Sequence, residues 1–469
     1  ARLIMLSRMH AIFSLTVAFE AYAAWGFTSF ASTMQRSFPL ALHNVKNEKM
    51  TALMQQMNDE DEALNNAQLD ISRRSALLSA ASSTAALLAI SSGATQALAD
   101  DGSNGGVIRR TPIKAAWKAV DGLNSLEEDK KVVSFDASAY KAMMDDPSRT
   151  PLFEKAIIQR LNSAPGGPES QIVLDLGTGP FALFAIVAAK AGAGKVYAIE
   201  ANKGAARLAR ETIKKIGFED IIEVIEGFSS DVTLPNNVKA DFAVAEIIGS
   251  VASEEGAYAT VLDAHNRLVK EPNLSSSWIP NRIQTYAAPA SYTLHNMFQP
   301  PEFDWGKLDG EPVRFNCRDK GLQLLSDPVI VEDISFADIT KYKMNGRDYI
   351  FTMDGNRIEE NSLSFFEELR KNRMGKVEAE RVAQATGGSF TGMAMWPRLI
   401  LDAEEKIDVN SRAYPFGGHQ KSHWQTVLPI MSDLPVPVKG GDEITVSVHF
   451  DAGSDIKAPP SYRISGNVL

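Results

Sequence analysis

Between residues 171 and 200 the chain reads QIVLDL, GTGP, FALFAIVAAKA and, after a short connection, KVYAIE. The first and last stretches are apolar runs of strand length. The stretch between them is nearly all apolar and made of helix formers. Strand, glycine turn, helix, strand is a βαβ unit, and it commits this part of the chain to a parallel sheet. The pattern continues. Residues 203–216 (KGAARLARETIKKI) read as an amphipathic helix, and 221–226 (IIEVIE) and 241–246 (DFAVAE) as further strands. Alternating strands and helices imply an α/β fold with a parallel sheet covered on both faces.

The glycines let backbone approach a ligand at the strand's carboxyl end. Glu200, closing the second strand, can accept both hydroxyls of a ribose. This grammar serves nicotinamide and methionine-derived cofactors alike. Here the turn is D-x-G-x-G with Asp175 inside the strand. Position 182 is Ala, so the dinucleotide pattern holds only in its relaxed form. Both details favour S-adenosylmethionine.

Size and charge bound the rest. With 469 residues, 44% of them hydrophobic, the chain can form two or three domains plus appendages. A net charge of −10 argues against a nucleic-acid binder and suits a cationic substrate. The single cysteine, Cys317, excludes an intrachain disulfide and a thiolate zinc site. The histidines are scattered without HExxH, so no metal is expected.

Residues 1–110 read as targeting sequence and linker, outside the mature fold. An apolar stretch at 11–31 follows Arg2 and Arg8, the grammar of a signal peptide. Read as a membrane anchor it would carry Glu20 mid-span, so no stable span is expected in the mature chain. Arg73-Arg74, a mildly apolar run and Ala97-Leu98-Ala99 then resemble a twin-arginine leader. Tandem leaders resemble the presequences of plastid proteins and suggest the stroma or thylakoid lumen. A low-complexity linker and a cytoplasmic location are the alternatives.

Beyond the glycine turn the motifs become more specific. VLDLGTG, KVYAIEAN, AEIIGSVASEEGA (245–257) and WIPNR, with MMDDPSRT (143–150) upstream and SHWQTV (422–427) and GDEI (441–444) downstream, resemble the protein arginine methyltransferases. The GFEDIIEVI segment (217–225) looks closest to the branch that leaves monomethylarginine. The resemblance spans roughly 135–450. It implies helices over the cofactor at 111–170, a Rossmann-like seven-stranded S-adenosylmethionine domain at 171–288, and a β-barrel substrate domain at 289–469. The strand-rich sequence after 283 agrees, and the charged segment near 360–385 reads as a helical insertion packed by Leu363, Phe366 and Leu369.

The same resemblance implies residue roles. Glu246 and Glu255, nine residues apart, match the family's paired glutamates. Two carboxylates can grip a planar, always-protonated guanidinium from different edges. They also localise its charge and free one nitrogen to attack the sulfonium methyl. Read alone, Glu246 ends a strand and Glu255 caps a helix. His423 with Asp146 would take the released proton, and Trp424 would wall the substrate pocket. Arg149 would pair with the methionine carboxylate. Asp175, Gly177 and Gly179 would surround the methionine half, with Met143 beside the methyl. Glu200 would hold the ribose, and Ser229 and Ser230 would meet adenine.

The expected activity is methyl transfer from S-adenosylmethionine to arginine in protein substrates. Family members pair head to tail, so a homodimer is open to this chain. The departures are Phe181 in place of the turn's third glycine, Ser230 in place of a glutamate, one tyrosine (Tyr140) in place of a pair, and a small polar loop, SVASE, between the glutamates. They leave two alternatives: a methyltransferase for a small-molecule amine, and a catalytically weak scaffold of the same fold.

Overall fold

A computed structural model of the chain describes residues 110–119, 137–301, 303–308, 310–316, 319, 321–412, 422–453 and 459–469. The leader-like segments and Cys317 lie outside the described residues.

The chain enters through strand β1 (Thr111–Lys118) and then forms helices α1 (Ala137–Met144) and α2 (Thr150–Asn162). Next come β2 (Ile172–Leu176), α3 (Leu183–Lys190), β3 (Lys195–Glu200), α4 (Lys203–Ile216), β4 (Ile222–Glu226), β5 (Phe242–Ala245), α5 (Ala257–Arg267) and β6 (Trp278–Ile279). Strands β2 to β6 form one parallel sheet in the order β4-β3-β2-β5-β6. The chain runs outward from β2 through β3 and β4, then returns to β2's other side as β5. That reversal opens a crevice at the carboxyl ends of β2 and β5, where such sheets bind ligands. The core strands are buried on both faces: Val173, Leu174, Val196, Ala198 and Val244 are fully enclosed. Helix α4 starts at Asn202, whose side chain accepts the Ala205 N–H at 3.0 Å. It stops at Gly217, which takes φ +76°.

The second half is antiparallel. Its strands are β7 (Arg282–Tyr292), β8 (Val313–Asn316), β9 (Leu322–Leu324), β10 (Val329–Ser335), β11 (Arg347–Thr352), β12 (Ser389–Phe390), β13 (Gly392–Ile400), β14 (Asp408–Asn410), β15 (Gln425–Leu428), β16 (Val436–Pro437), β17 (Glu443–Asp451) and β18 (Ser461–Val468). One sheet runs β10-β7-β13-β15-β8 and another β1-β18-β17-β11. Met393 and Met395 of the first meet Trp117, Val446 and Val448 of the second in a shared core.

Four expectations need correction. The cofactor sheet has five strands among the described residues, not seven. After β6 the chain turns through a cis Ile279–Pro280 bond into β7, whose partners β10 and β13 belong to the barrel. The barrel therefore begins at Arg282, not 289.

The segment 111–170 is not wholly helical. Thr111–Lys118 pairs with β18 along its length, from Thr111↔Val468 to Lys118↔Ser461. Its TPIKAAWK pattern buries Ile113, Ala115 and Trp117 and leaves Lys114, Ala116 and Lys118 exposed, the period of a half-buried strand.

The insertion is a hairpin of α6 (Gly355–Lys371) and α7 (Lys376–Gly387). It packs through Asn361 and Phe365, with Ile358 against the barrel core, while Leu363 is left 58% exposed. The inward stripe is thus one step out of phase with the expected one.

Trp117 is 6% exposed and stacks on Tyr462 of β18 at 5.1 Å. Trp117→Ala should destabilise the chain by about 3–5 kcal/mol, the range for deleting a buried aromatic. Urea denaturation followed by far-ultraviolet dichroism reads this directly, and an unchanged midpoint would contradict the strand.

Candidate functional site

Three side chains converge at the crevice because three strands end there. Strand β2 ends in the turn Gly177-Thr178-Gly179, β3 ends in Glu200, and β5 runs straight into Glu246. Gly177 takes φ +72°, and a Cβ on it would come 2.5 Å from Ile247. Gly179 takes φ +65°. Only glycine meets both demands at Gly177, the left-handed backbone and the close approach.

Asp175 braces this turn from inside the strand. Its carboxylate accepts the Thr178 hydroxyl at 2.6 Å and the Ala185 N–H at 3.1 Å. Burial pushes its pKa up to about 6, aided by the charges of Glu200 and Glu246 and opposed by those two hydrogen bonds. Asp175 is 2% exposed, so it shapes the cradle rather than offering itself to a ligand.

Glu200 accepts the Gly179 N–H and the Asn202 N–H, each at 2.8 Å and on different oxygens. Each oxygen keeps a second lone pair for a ribose hydroxyl. Burial raises the Glu200 pKa despite these bonds. Past β4, Ser229 is 2% exposed, and its hydroxyl has no hydrogen-bond partner among the described residues. Ser230 faces solvent and bonds Asp231 at 3.1 Å. An open glycine cradle, a ribose-type acid and an orphaned hydroxyl in line along the sheet's end suit S-adenosylmethionine. Of the two serines, Ser229 is the one placed to meet its base.

The stretch before α2 supplies the next layer. Arg149 pairs with Glu246 and donates to the Met143 carbonyl at 2.7 Å. Its guanidinium lies 5.0 Å from the centroid of the Phe184 ring. The Met143 carbonyl also accepts the Thr150 hydroxyl at 3.2 Å, so Met143 orients Arg149 through its backbone.

Asp146 accepts four hydrogen bonds. The Ser148 N–H and hydroxyl reach one oxygen at 2.8 and 2.6 Å. The His423 N–H and Nδ1 reach the other at 2.8 and 2.7 Å. Burial alone would raise its pKa. The bonds from the His423 ring, Ser148 and the His423 backbone outweigh burial and hold it at about 2. An ionised Asp146 can only accept, so Nδ1 of His423 carries the proton and Nε2 keeps a free lone pair.

The two glutamates bracket a loop. Beyond Glu246 it runs through Gly249 and SVASE to Glu255. Glu255 is part-buried, and burial first, then the charges of Glu246 and Glu254, push its pKa to about 8 against Arg149 and Arg314. Sequence reasoning missed Glu254, which forms a two-pronged pair with Arg314 of β8. Glu254 lies within AEIIGSVASEEGA, but Arg314 sits in no recognisable motif, so the pair gives no signal. It also missed Ser148, whose spacing after Asp146 is that of a local Asx turn.

Trp424 differs from its expected role as a pocket wall. It is 3% exposed and donates its indole N–H to the Ile248 carbonyl at 2.7 Å. It anchors the glutamate loop, while its ring lies 4.1 Å from that of His423.

Comparisons with known proteins agree with this geometry. Residues 156–260 match a family described as ribosomal protein L11 methyltransferase (PrmA). That span covers the cofactor sheet through β5 and the glutamate loop. The chain is 28% identical over 320 residues to protein arginine N-methyltransferase PRMT10 of Arabidopsis thaliana, covering 66% of this chain and 78% of that protein. It is 31% identical over 346 residues to protein arginine N-methyltransferase 7 of Cricetulus longicaudatus, covering 70% of this chain and 47% of that protein. It thus spans under half the length of that relative. The solved open form of Arabidopsis thaliana protein arginine methyltransferase 10 has a similar fold, with a TM-score of 0.50 at 18% identity, covering 70% of this chain and 97% of that one.

The depressed Asp146 pKa makes a stability prediction with a definite sign. Stability from the ionised group is present above its unfolded value of 3.8 and is lost as pH falls toward 2. Asp146→Asn should therefore cost about 2 kcal/mol at neutral pH, from a shift of nearly two units. The gap from the parent should close between about pH 4 and pH 2 in urea titrations. A gap constant across that range would contradict the bonding pattern.

Proposed function

We propose, from its similarity to protein arginine N-methyltransferases, that the chain methylates a guanidinium nitrogen of arginine in protein substrates. S-adenosylmethionine supplies an electrophilic methyl on a sulfonium.

One observation carries the choice of substrate. Among the described residues three carboxylates, Glu246, Glu254 and Glu255, cluster with two guanidiniums, Arg149 and Arg314. Within this group negative charge exceeds positive by one. Burial first, and then the charges of Glu246 and Glu254, raise the Glu255 pKa to about 8 against Arg149 and Arg314. An arginine side chain supplies the missing charge in a planar form that Glu246 and Glu255 can hold from two edges. A protonated small-molecule amine would also bring a charge, but as a point rather than a planar fork that two carboxylates can hold from separate edges.

The residues then divide the work. Glu246 and Glu255 orient the substrate guanidinium and draw its positive charge toward the nitrogens they bind. The remaining nitrogen keeps its electron density and points at the methyl. Its attack forms the N–C bond as the S–C bond breaks, and the nitrogen's proton leaves. Nε2 of His423 accepts that proton, with Asp146 stabilising the imidazolium formed. Arg149 holds the methionine carboxylate while remaining beside Glu246, so cofactor and clamp share one charge network. Ordered placement supplies much of the acceleration.

The tandem leader-like segments support a second proposal, that the mature protein works inside a plastid. Sequencing the mature N-terminus should find it near residue 100; an unprocessed chain in the cytoplasm would refute plastid import.

The proton on Glu255 gives the sharper test. Below pH 8 it must leave before the carboxylate can bind a cation. Affinity for an arginine-glycine-rich peptide should rise up to about tenfold per pH unit from pH 6 to 8 and then flatten. Calorimetry in buffers of different ionisation enthalpy should register proton release. Glu255→Gln should abolish the pH dependence and cut turnover about 100-fold or more, with S-adenosylhomocysteine affinity within a few fold. Full turnover in that variant would refute the clamp.

A further inference from the structure

The loop between the clamp glutamates buries Ile248, Val251 and Ala252 in the cores, and the barrel also grips it through hydrogen bonds. Ile248 accepts the Trp424 indole, and the Ser250 hydroxyl accepts the Gln425 N–H at 3.1 Å. The deepest grip is at Ala252 and Ser253. The Ala252 N–H donates to the Thr285 hydroxyl at 2.9 Å, and that hydroxyl donates to Glu332 at 2.7 Å. The Ser253 N–H donates to the same Glu332 oxygen at 3.3 Å. The circuit is closed and fixes two successive peptide groups. On its far side the Ser253 hydroxyl bonds the Tyr462 hydroxyl at 3.1 Å.

A backbone irregularity brings Glu332 to this place. In the β10–β7 ladder Ile330 faces Tyr286, and Glu332 faces Thr285. One residue, Val331, is extra. In an unbroken antiparallel register Val331 would face Thr285, and Glu332 would point from the opposite face of the sheet. The bulge rotates the carboxylate to the glutamate loop, a use to which bulges beside active sites are put. Glu332 is 2% exposed, and its second oxygen has no hydrogen-bond partner among the described residues. Burial raises its pKa, and the charge of Glu254 adds to this. A protonated second oxygen would leave the first free to accept both bonds.

We infer that Glu332, swung inward by the bulge, is a positioning residue: it fixes the peptides of Ala252 and Ser253 and thereby places Glu254 against Arg314 and Glu255 against the incoming arginine. The inference rests on the arginine methyltransferase reading for its effect on turnover, but not for its effect on the loop.

The experiment uses the full chain and three variants, Glu332→Ala, Glu332→Gln and Thr285→Val. Turnover of an arginine-glycine-rich peptide, S-adenosylhomocysteine affinity by calorimetry and amide exchange by mass spectrometry are read together, below each variant's melting temperature. Glu332→Ala and Thr285→Val should lower kcat/KM by about 10- to 100-fold, the scale of a misplaced clamp. Cofactor affinity should hold within about twofold, because Glu332 does not touch the β2, β3 and β4 ends. Exchange should quicken over 250–255 and stay unchanged over β13 and β17. Glu332→Gln keeps the accepting oxygen and should restore both turnover and protection. Unchanged loop exchange in Glu332→Ala would overturn the inference. So would a parallel loss of cofactor binding, or a Gln variant as impaired as Ala. If the parent methylates no arginine, the functional reading fails, and the exchange data still decide whether Glu332 holds the loop.

Discussion

The chemistry of this protein depends on a loop whose buried backbone is satisfied only in part from within. Strand β5 ends at Ala245, and the residues after it leave the sheet while still buried. Buried peptide N–H groups need partners. Two in this loop find them in the barrel, Ala252 on the Thr285 hydroxyl and Ser253 on Glu332, while Trp424 donates to the Ile248 carbonyl, Arg314 pairs with Glu254 and Tyr462 bonds the Ser253 hydroxyl. The guanidinium clamp is therefore a joint property of the two halves. The sheet places Glu246, and the barrel places Glu254 and Glu255. The Asp146–His423 bond, across 277 residues, ties the same seam from the side of α2.

Two acids of the site are driven in opposite directions by their surroundings. Asp146 is saturated with four donors and stays ionised down to about pH 2. Glu255 has burial and two like charges beside it and stands near 8. Such divergence sorts acids by task. Asp146 is a permanent anion that fixes the tautomer of His423. Glu255 is a vacancy for positive charge.

What the sequence made legible was local or carried by resemblance. Apolar runs of strand length, the glycines and the terminal acids place β2, β3 and the cradle from pattern alone, because each signal lies within a few residues of its effect. The Asp146–His423 pair has no local signature, and it was found because both flanking motifs resemble one family. The errors have physical causes. TPIKAAWK alternates with period two, yet its position before helices suggested helix. Leu363 and Phe365 lie two residues apart on α6, and a charged helix offers several phases for an apolar stripe; only packing against the barrel chooses Phe365. Glu332 could not be foreseen, since its orientation depends on one extra residue in a ladder. The SHWQTV motif does not say which way the Trp424 indole N–H points, and here it points to the Ile248 carbonyl.

Phe181 is the residue that first suggested a silent relative of the fold, and its surroundings argue otherwise. Its ring is buried edge-on against Tyr140 at 6.4 Å, and Tyr140 lies over Gly179. The lost glycine is replaced by an aromatic contact that fastens α1 over the cradle. The backbone demand passes to Ala182, which takes φ +45° at a cost of about 1–2 kcal/mol. Glu255 weighs more heavily still. Holding a carboxyl near 8 when its ordinary value is 4.5 costs roughly 3 kcal/mol at pH 7. A chain with no cation to bind would be more stable with glutamine or leucine there. Glu255 in its gripped loop is offset only in part by Arg149 and Arg314, and an arriving guanidinium would offset more of that cost.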